Sequence, residues 1–266
     1  MKIIIGSGRL ARHLNHYFNL LDISHHWWNR RTSTLENLDF LLNEASNQES
    51  QVYLAISDSA IYPFFEKHLK GKKIQAVHFS GLLSFPEIPS AHPLMSFGNT
   101  FFDLSVYEKI HFTISGVTQL SELLPGLKNP YSIISAENKA YYHSLCVLGG
   151  NFSQVLIKKM VLELEALQIP KQASELYLNQ IIKNTFIELE HVKMIPKDIQ
   201  RSKESRESLL QKCLPSSGPL VRKDLQTLKT HLEVLAADPF SSVYKSILDL
   251  FLTSKSKETN SYENNI

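Results

Sequence analysis

Cysteine is nearly absent: Cys146 and Cys213 are the only two in 266 residues. Two thiols exclude a disulfide scaffold and a thiolate-rich zinc site, and they suit a reducing cytoplasm. A charge of one sign is lacking too. Twenty-eight Lys and Arg stand against 26 Asp and Glu, a formal net charge of +2. That balance makes no bulk electrostatic case for nucleic acid or an anionic membrane as partner. The chain opens Met1-Lys2-Ile3-Ile4-Ile5-Gly6, so its first apolar run ends after three residues. A signal peptide needs about 7–15, and no run approaches the roughly 18 apolar residues of a membrane span. A soluble, cytoplasmic protein without a membrane partner is expected. The eleven histidines form no convincing metal site. His13 and His16 are one helical turn apart without further ligands, and His25 and His26 would point to opposite faces of a strand.

What is present is enough apolar material for a sizeable core. Hydrophobic residues make up 43% and charged residues 20%, which argues against a disordered or collagen-like chain. The length suits one large domain or two smaller ones. The first half alternates between strand and helix patterns. Strands are expected at 2–5, 25–28, 52–56 and 74–78, and helices at 9–20, 34–46 and 59–69, an order that implies βαβ units and a parallel sheet. The pattern changes after about residue 135. Residues 136–168 form one long helical pattern, interrupted only by Gly149-Gly150, and Pro170 starts a second helix to about 193. A polar segment, 196–206, precedes helices at about 204–213, 219–236 and 240–253. The expected domains are therefore an α/β domain over 1–135, an all-helical domain over 136–254, and a disordered tail over 255–266.

The strongest local feature is Gly6-Ser7-Gly8-Arg9-Leu10-Ala11, which follows a strand and opens a helix. That is the context of the dinucleotide fingerprint, with Ala in the third small position. Gly6 permits the tight turn, Gly8 lets the main chain approach a pyrophosphate, and Ala11 allows close helix–sheet packing. The helix N-terminus supplies N–H donors. The alternative is a glycine turn with no ligand. An NAD site usually places a carboxylate about 20 residues further on. Here Asn29-Arg30-Arg31 stands instead, and guanidiniums bind a 2′-phosphate bidentately, which favours NADP over NAD. The alternative there is a solvated basic turn.

Ligand crevices in open parallel sheets lie at the carboxyl ends of the strands. Ala55-Ile56-Ser57-Asp58-Ser59 follows the third strand and His78-Phe79-Ser80-Gly81 the fourth. Asp58 is equally a helix cap, and His78 equally a satisfied strand-end histidine. His92-Pro93 begins a polar and aromatic segment expected in a loop. On the long helix, Lys139 and His143 are four residues apart on one face, which continues through Cys146 and Gly150 with Asn151 at its margin. A lysine beside an imidazole can donate a proton or polarise a carbonyl. The alternative is an exposed lysine and a buried histidine on an amphipathic helix. Gly218-Pro219 opens a later helix, where Arg222 and Asp224 are either site residues or capping charges.

Taken in order, these segments resemble a family of Rossmann-like proteins of unassigned function over about residues 2–252. The resemblance rests on Gly6-Ser7-Gly8-Arg9, the Ala55–Ile61 and His78–Gly81 segments, His92-Pro93, the Lys139–His143 segment, Asn151-Phe152 and the Gly218–Asp224 segment. The two-domain plan is similar to ketopantoate reductase, 6-phosphogluconate dehydrogenase and pyrroline-5-carboxylate reductase. It implies a Rossmann-like α/β domain with a mostly parallel sheet, then an all-α domain of the 6-phosphogluconate dehydrogenase C-terminal-like type. It also implies an NADP-dependent oxidoreductase acting on a small carbonyl, imine or hydroxy acid, with Lys139 as general acid/base and His143 beside it. Ser80, Gly81, His92, Asn151, Arg222 and Asp224 would meet the substrate. Gly6, Ser7, Gly8, Arg9, Leu10, Asn29, Arg30, Arg31, Ile56, Ser57 and Asp58 would hold the cofactor, with no metal. Phe79, Ser144, Leu145 and Lys223 depart from the small residues of the family pattern. A non-catalytic NADP(H)-binding or redox-sensing protein, and a structural dimer with a vestigial cofactor site, are the other classes. The 136–168 helix is apolar around much of its circumference, which predicts a homodimer through the helical half.

Overall fold

The computed structural model describes residues 1–191, 209–215 and 217–252. The polar segment 196–206 and the tail 255–266 lie outside the described residues, as does the start of the helix expected at 204–213. The chain divides into two compact units, Met1–Lys171 and Gln172–Ile266. Secondary structure changes from mixed to helical earlier, at about residue 136.

The first unit is built on a seven-stranded sheet in the order β2-β1-β3-β4-β5-β6-β7. The strands are β1 Lys2–Ile5, β2 His26–Trp28, β3 Gln51–Leu54, β4 Gln75–His78, β5 Ser90–Pro93, β6 Phe112–Ser115 and β7 Tyr131–Ile133. Every neighbouring pair is parallel except β5 and β6. Alternation along the central strands feeds two cores. Ile4, Tyr53 and Val77 face one side, with Ala11, Leu14 and Phe18 of α1 (Arg9–Leu20). Ile3, Ile5, Val52, Leu54 and Ala76 face the other, with Leu38 and Leu42 of α2 (Leu35–Ser46) and Ile61 of α3 (Asp58–Phe64). Central strands buried on both faces read as continuous apolar runs, and these are the strands the sequence makes plain.

The far side of the sheet is less legible. His92 and Pro93, expected in a loop, form the end of β5. This strand is short and carries Ser90, His92 and Pro93, so it lacks the β-branched run that marks a strand. Its antiparallel pairing sets His92 opposite Thr113 on β6.

A polar knot braces this half. Asn129 is 4% exposed. Its amide nitrogen donates to the carbonyls of Tyr107 (2.7 Å) and Ile110 (2.9 Å), and its oxygen accepts the Tyr17 hydroxyl at 2.8 Å. Tyr107 in turn lies 2.7 Å from Nδ1 of buried His13, whose Nε2 is 3.1 Å from the Gly98 carbonyl. A carbonyl only accepts, so His13 carries its proton on Nε2 and takes one from Tyr107 at Nδ1.

After two short helices, α4 (Leu104–Tyr107) and α5 (Leu120–Leu123), the helical run begins with α6 (Lys139–Cys146), passes through a π-wound stretch, Val147–Phe152, and continues as α7 (Ser153–Ala166). By length and composition Ala136–Ala166 is long and apolar enough to cross a membrane, and none of its most apolar window is buried. A search for consecutive apolar residues misses it, because Ser144, Asn151 and Gln154 interrupt the run. Leu148, Phe152, Val155 and Leu162 are all exposed. In the second unit, the helix expected at 219–236 is two helices, Pro219–Arg222 and Leu225–Val234. They part at Lys223, which is left-handed at φ +54°, and at Asp224, whose carboxylate caps the second helix through the Thr227 amide at 3.1 Å.

Replacing Asn129 by Ala takes its partner from the buried Ile110 carbonyl and the Tyr17 hydroxyl, while the Tyr107 carbonyl keeps the Ile110 N–H at 3.1 Å; each buried group left unsatisfied costs about 1–3 kcal/mol. The urea midpoint of Asn129→Ala should fall clearly with an unchanged denaturant slope. A midpoint equal to wild type would show that the knot does not brace the fold.

Candidate functional site

The glycine loop is shaped by backbone constraints. Gly6 has φ +141°, and a Cβ there would lie 2.2 Å from the Ala55 carbonyl oxygen and 3.3 Å from the Ala11 Cβ. Only glycine fits, because β1, β3 and α1 converge on this point. Gly8 precedes α1 and faces open space instead. The first turn of α1 has no side-chain cap and no acidic residue. Its free N–H groups and partial positive charge are therefore open to an anion. These features fit a pyrophosphate.

A cavity of about 1030 Å³ starts at this loop. One lobe passes between Trp28, Arg30, Leu35, Phe64 and His68. The opposite end reaches His92, the Leu94–Phe97 loop, and His143, Cys146, Gly150, Asn151 and Gln154 of the helical run. Among the described residues, the lining contains no Asp or Glu. The π-wound stretch accounts for consecutive Gly150 and Asn151 both reaching the cavity. Ser153 Oγ donates to the carbonyls of Gly149 at 2.6 Å and Gly150 at 2.9 Å, satisfying groups that looser winding leaves in need of partners.

The cavity brings together Gly6, Ser7, Gly8, Arg9, Leu10, Asn29, Arg30, Ile56, Ser57, His92, His143 and Asn151 of the expected residues. Arg31, Asp58, Ser80, Gly81 and Lys139 do not line it. Arg31 is tied through its backbone N–H to Asn29 Oδ1 at 3.1 Å. Asp58 begins α3 and accepts the Ser80 hydroxyl at 2.7 Å. Gly81 lies beneath the histidines: a Cβ on it would stand 2.5 Å from His143 and 3.0 Å from His92. Arg222 ends a four-residue helix and Asp224 caps the next, both in the second unit.

Lys139 corrects the helical-face expectation. It is 1% exposed. Its ammonium donates to the Ser80 carbonyl at 3.1 Å and, through a very short contact, to Ser90 Oγ. It is the first residue of α6, and helical side chains lean toward the N-terminus. Lys139 thus reaches back under the strand ends while His143, one turn on, reaches the cavity.

Residues 113–249 match the family described as a domain of unknown function (DUF2520). The chain belongs to that family. Among solved structures, this DUF2520 chain is similar to a Bacteroides fragilis protein provisionally designated an NADP oxidoreductase, at 17% identity and TM-score 0.63, over 93% of this chain and 95% of that one. It is similar to a Thermotoga maritima protein at 19% identity and TM-score 0.57, over 97% and 100% of the two chains. It is also similar to 1-pyrroline-5-carboxylate reductase from Streptococcus pyogenes at 16% identity and TM-score 0.50, over 96% and 98%. At these identities the likeness shows a shared fold, a Rossmann-like sheet followed by helices. No curated protein matches the chain.

Several site residues of this DUF2520 member escape sequence reasoning. Trp28 ends β2, whereas Phe64 and His68 lie one turn apart on the helical stretch that begins at Asp58, and the two segments meet only in the fold. Gln154 had a usable signal, since it is the next step of the His143, Cys146, Gly150 spacing. The residues packed beside the histidine end of the cavity are electrostatically unusual. Burial lowers the Lys139 pKa to about 8, against the opposing pull of the Asp58 carboxylate. Burial also lowers His78 to about 3, helped by the Lys139 charge. His92 is lowered to about 4 by burial, with His143 and Lys139 adding to it. Both imidazoles are therefore neutral near neutral pH. His78 Nδ1 accepts the Ser80 N–H at 3.2 Å, and its buried Nε2 has no partner among the described residues.

A histidine held below its ordinary pKa takes up a proton more readily in the unfolded chain. The stability contribution of His78 and His92 is therefore full above about pH 6.5 and is lost as pH falls toward about 3 for His78 and about 4 for His92. Lys139→Met removes a cation that holds both values down. In that variant both imidazoles should titrate at higher pH by NMR, and the loss of urea midpoint between pH 7.5 and pH 5 should shrink. Unchanged imidazole titration would show that Lys139 does not set their charge state.

Proposed function

We propose that this protein is an NADP(H)-dependent oxidoreductase acting on a small carbonyl, imine or hydroxy-acid substrate. The observation that supports it is one cavity running from an open glycine loop to the His92 and His143 imidazoles. Gly6 to Leu10 would hold the pyrophosphate, with α1 amides as donors. Arg30 would pair with a 2′-phosphate, and the absence of a carboxylate among the described lining residues favours NADP over NAD. Arg31 has a lesser place here, since it does not line the cavity. The cofactor supplies hydride exchange at carbon. The chain's own residues orient the substrate and handle the proton. His143 is our choice for general acid/base, with Asn151 and His92 positioning the reacting group. Lys139 then acts from below, by fixing α6 and keeping His78 and His92 neutral. The fold is shared with the Bacteroides protein designated an NADP oxidoreductase and with the Streptococcus reductase, which is consistent with this assignment.

The protein would work as a homodimer through its helical half. The apolar surface of Ala136–Ala166 and of the helix Lys171–His191, where Leu176, Phe186 and Ile187 are also exposed, is more than a lone chain in water leaves uncovered. A second copy covering it removes the same surface from water twice over. Both cysteines are unpaired, which suits the cytoplasm.

NADPH should bind more tightly than NADH by fluorescence titration. Arg30→Ala should weaken NADPH about 10–150-fold, the scale of one charge-assisted contact, and leave NADH nearly unchanged. Equal affinities for both cofactors in wild type would defeat the NADP assignment, and no binding of either would favour a vestigial site. With a turned-over carbonyl or imine in hand, His143→Ala should lower the rate about 100-fold or more. Light scattering should give a dimer mass, and a monomer across micromolar concentrations would reject the dimer.

A further inference from the structure

His92 has two ring nitrogens with different surroundings. Nδ1 lies 2.8 Å from the Tyr142 hydroxyl. Nε2 has no protein partner among the described residues, and it sits on the ring edge that closes over Gly81, beside the His143 ring at a centroid distance of 5.8 Å. A lone neutral imidazole places its proton on either nitrogen, and the partner at one nitrogen decides which. The partner here is Tyr142, one residue before His143 on α6. Its hydroxyl also meets Thr113, the cross-strand neighbour of His92, and Cys146. Thr113 is buried on β6, and its hydroxyl can donate to the phenol oxygen. The Tyr142 proton is then free for an acceptor, and an imidazole nitrogen is a far better one than a thiol sulfur. Burial pushes the Tyr142 hydroxyl up to about 12, so it keeps the proton it donates.

We propose that Tyr142 is a positioning residue that locks His92 as the Nε2–H tautomer, so that the ring offers the cavity a hydrogen-bond donor matched to a carbonyl oxygen or an unprotonated imine nitrogen. The ligand part of this rests on the oxidoreductase assignment above and narrows it. A protonated iminium or an ammonium brings its own N–H and needs an acceptor, which an Nε2–H ring cannot supply. No proton leaves His92 in this role. The donor acts on charge developing at the ligand heteroatom, where an N–H already fixed in place needs no reorganisation.

The tautomer can be read directly in the full-length protein with ring-¹⁵N-labelled histidine near neutral pH, using His92→Asn to identify the signals. Wild type should show a protonated Nε2 and an unprotonated Nδ1 at His92. Tyr142→Phe, which keeps the ring, should lower that preference about tenfold, the effect of one lost hydrogen bond. A wild-type His92 protonated at Nδ1, or a tautomer untouched in Tyr142→Phe, would overturn the proposal, and the wild-type spectrum decides even if the variant does not fold. Cyclohexanone added to NADP⁺-saturated protein should shift the His92 Nε2 signal, and the piperidinium cation should not. Silence with the ketone or a response to the cation would overturn the ligand assignment. The tautomer spectra need neither cofactor nor turnover, so their failure leaves the oxidoreductase proposal standing, and failure to bind NADPH leaves the tautomer standing.

Discussion

A buried ammonium needs hydrogen bonds in place of water, or it is strongly disfavoured. Lys139 meets that need by joining the Ser80 backbone after β4 to the Ser90 hydroxyl at the start of β5. The two strands share a single register pair, His78 with Ser90, so the lysine bridges the sheet where its own ladder is thinnest. Because Lys139 opens α6, the same contact fixes where the helical run leaves the sheet. His143 then comes to rest against His92 over Gly81, and the Lys139 charge adds to the burial that keeps His78 and His92 neutral.

The two ends of the cavity are made by different means. At the glycine loop almost everything is backbone: a turn only Gly6 can make, open space at Gly8, and uncapped amides at the start of α1. At the other end almost everything is side chain, drawn from β5, the loop after it and the helical run. A backbone site depends on local sequence. A side-chain site depends on elements distant in sequence arriving at one point, and therefore on contacts such as those of Lys139.

That difference explains what could be read in advance. The strands β1, β3 and β4, the helices α1 and α2 and the glycine loop are local patterns, and the structure has them where the sequence implies. Arg30 is likewise placed at the cavity by its position after β2. His92 was harder, because strand β5 is four residues long and polar. Lys139 and His143 share a face by counting, yet their side chains part, since the first residue of a helix reaches backward to whatever lies there. The break at Lys223 turned on one left-handed residue that no apolar spacing reveals. Tyr142 was legible only as a neighbour of His143, since its importance comes from His92 and Thr113 on two other strands.

Gly81 carries the two imidazoles on a residue that has no side chain. An added methyl would stand 2.5 Å from one ring and 3.0 Å from the other. Most positions tolerate alanine, and a scan that substitutes alanine for every larger residue would pass over this one without testing it. In a random library the site would instead record its dependence on geometry as an intolerance to gaining atoms, at a position that does not line the cavity. The histidines could then be displaced without being mutated, and a loss of function at Gly81 would be a measure of how finely their placement matters.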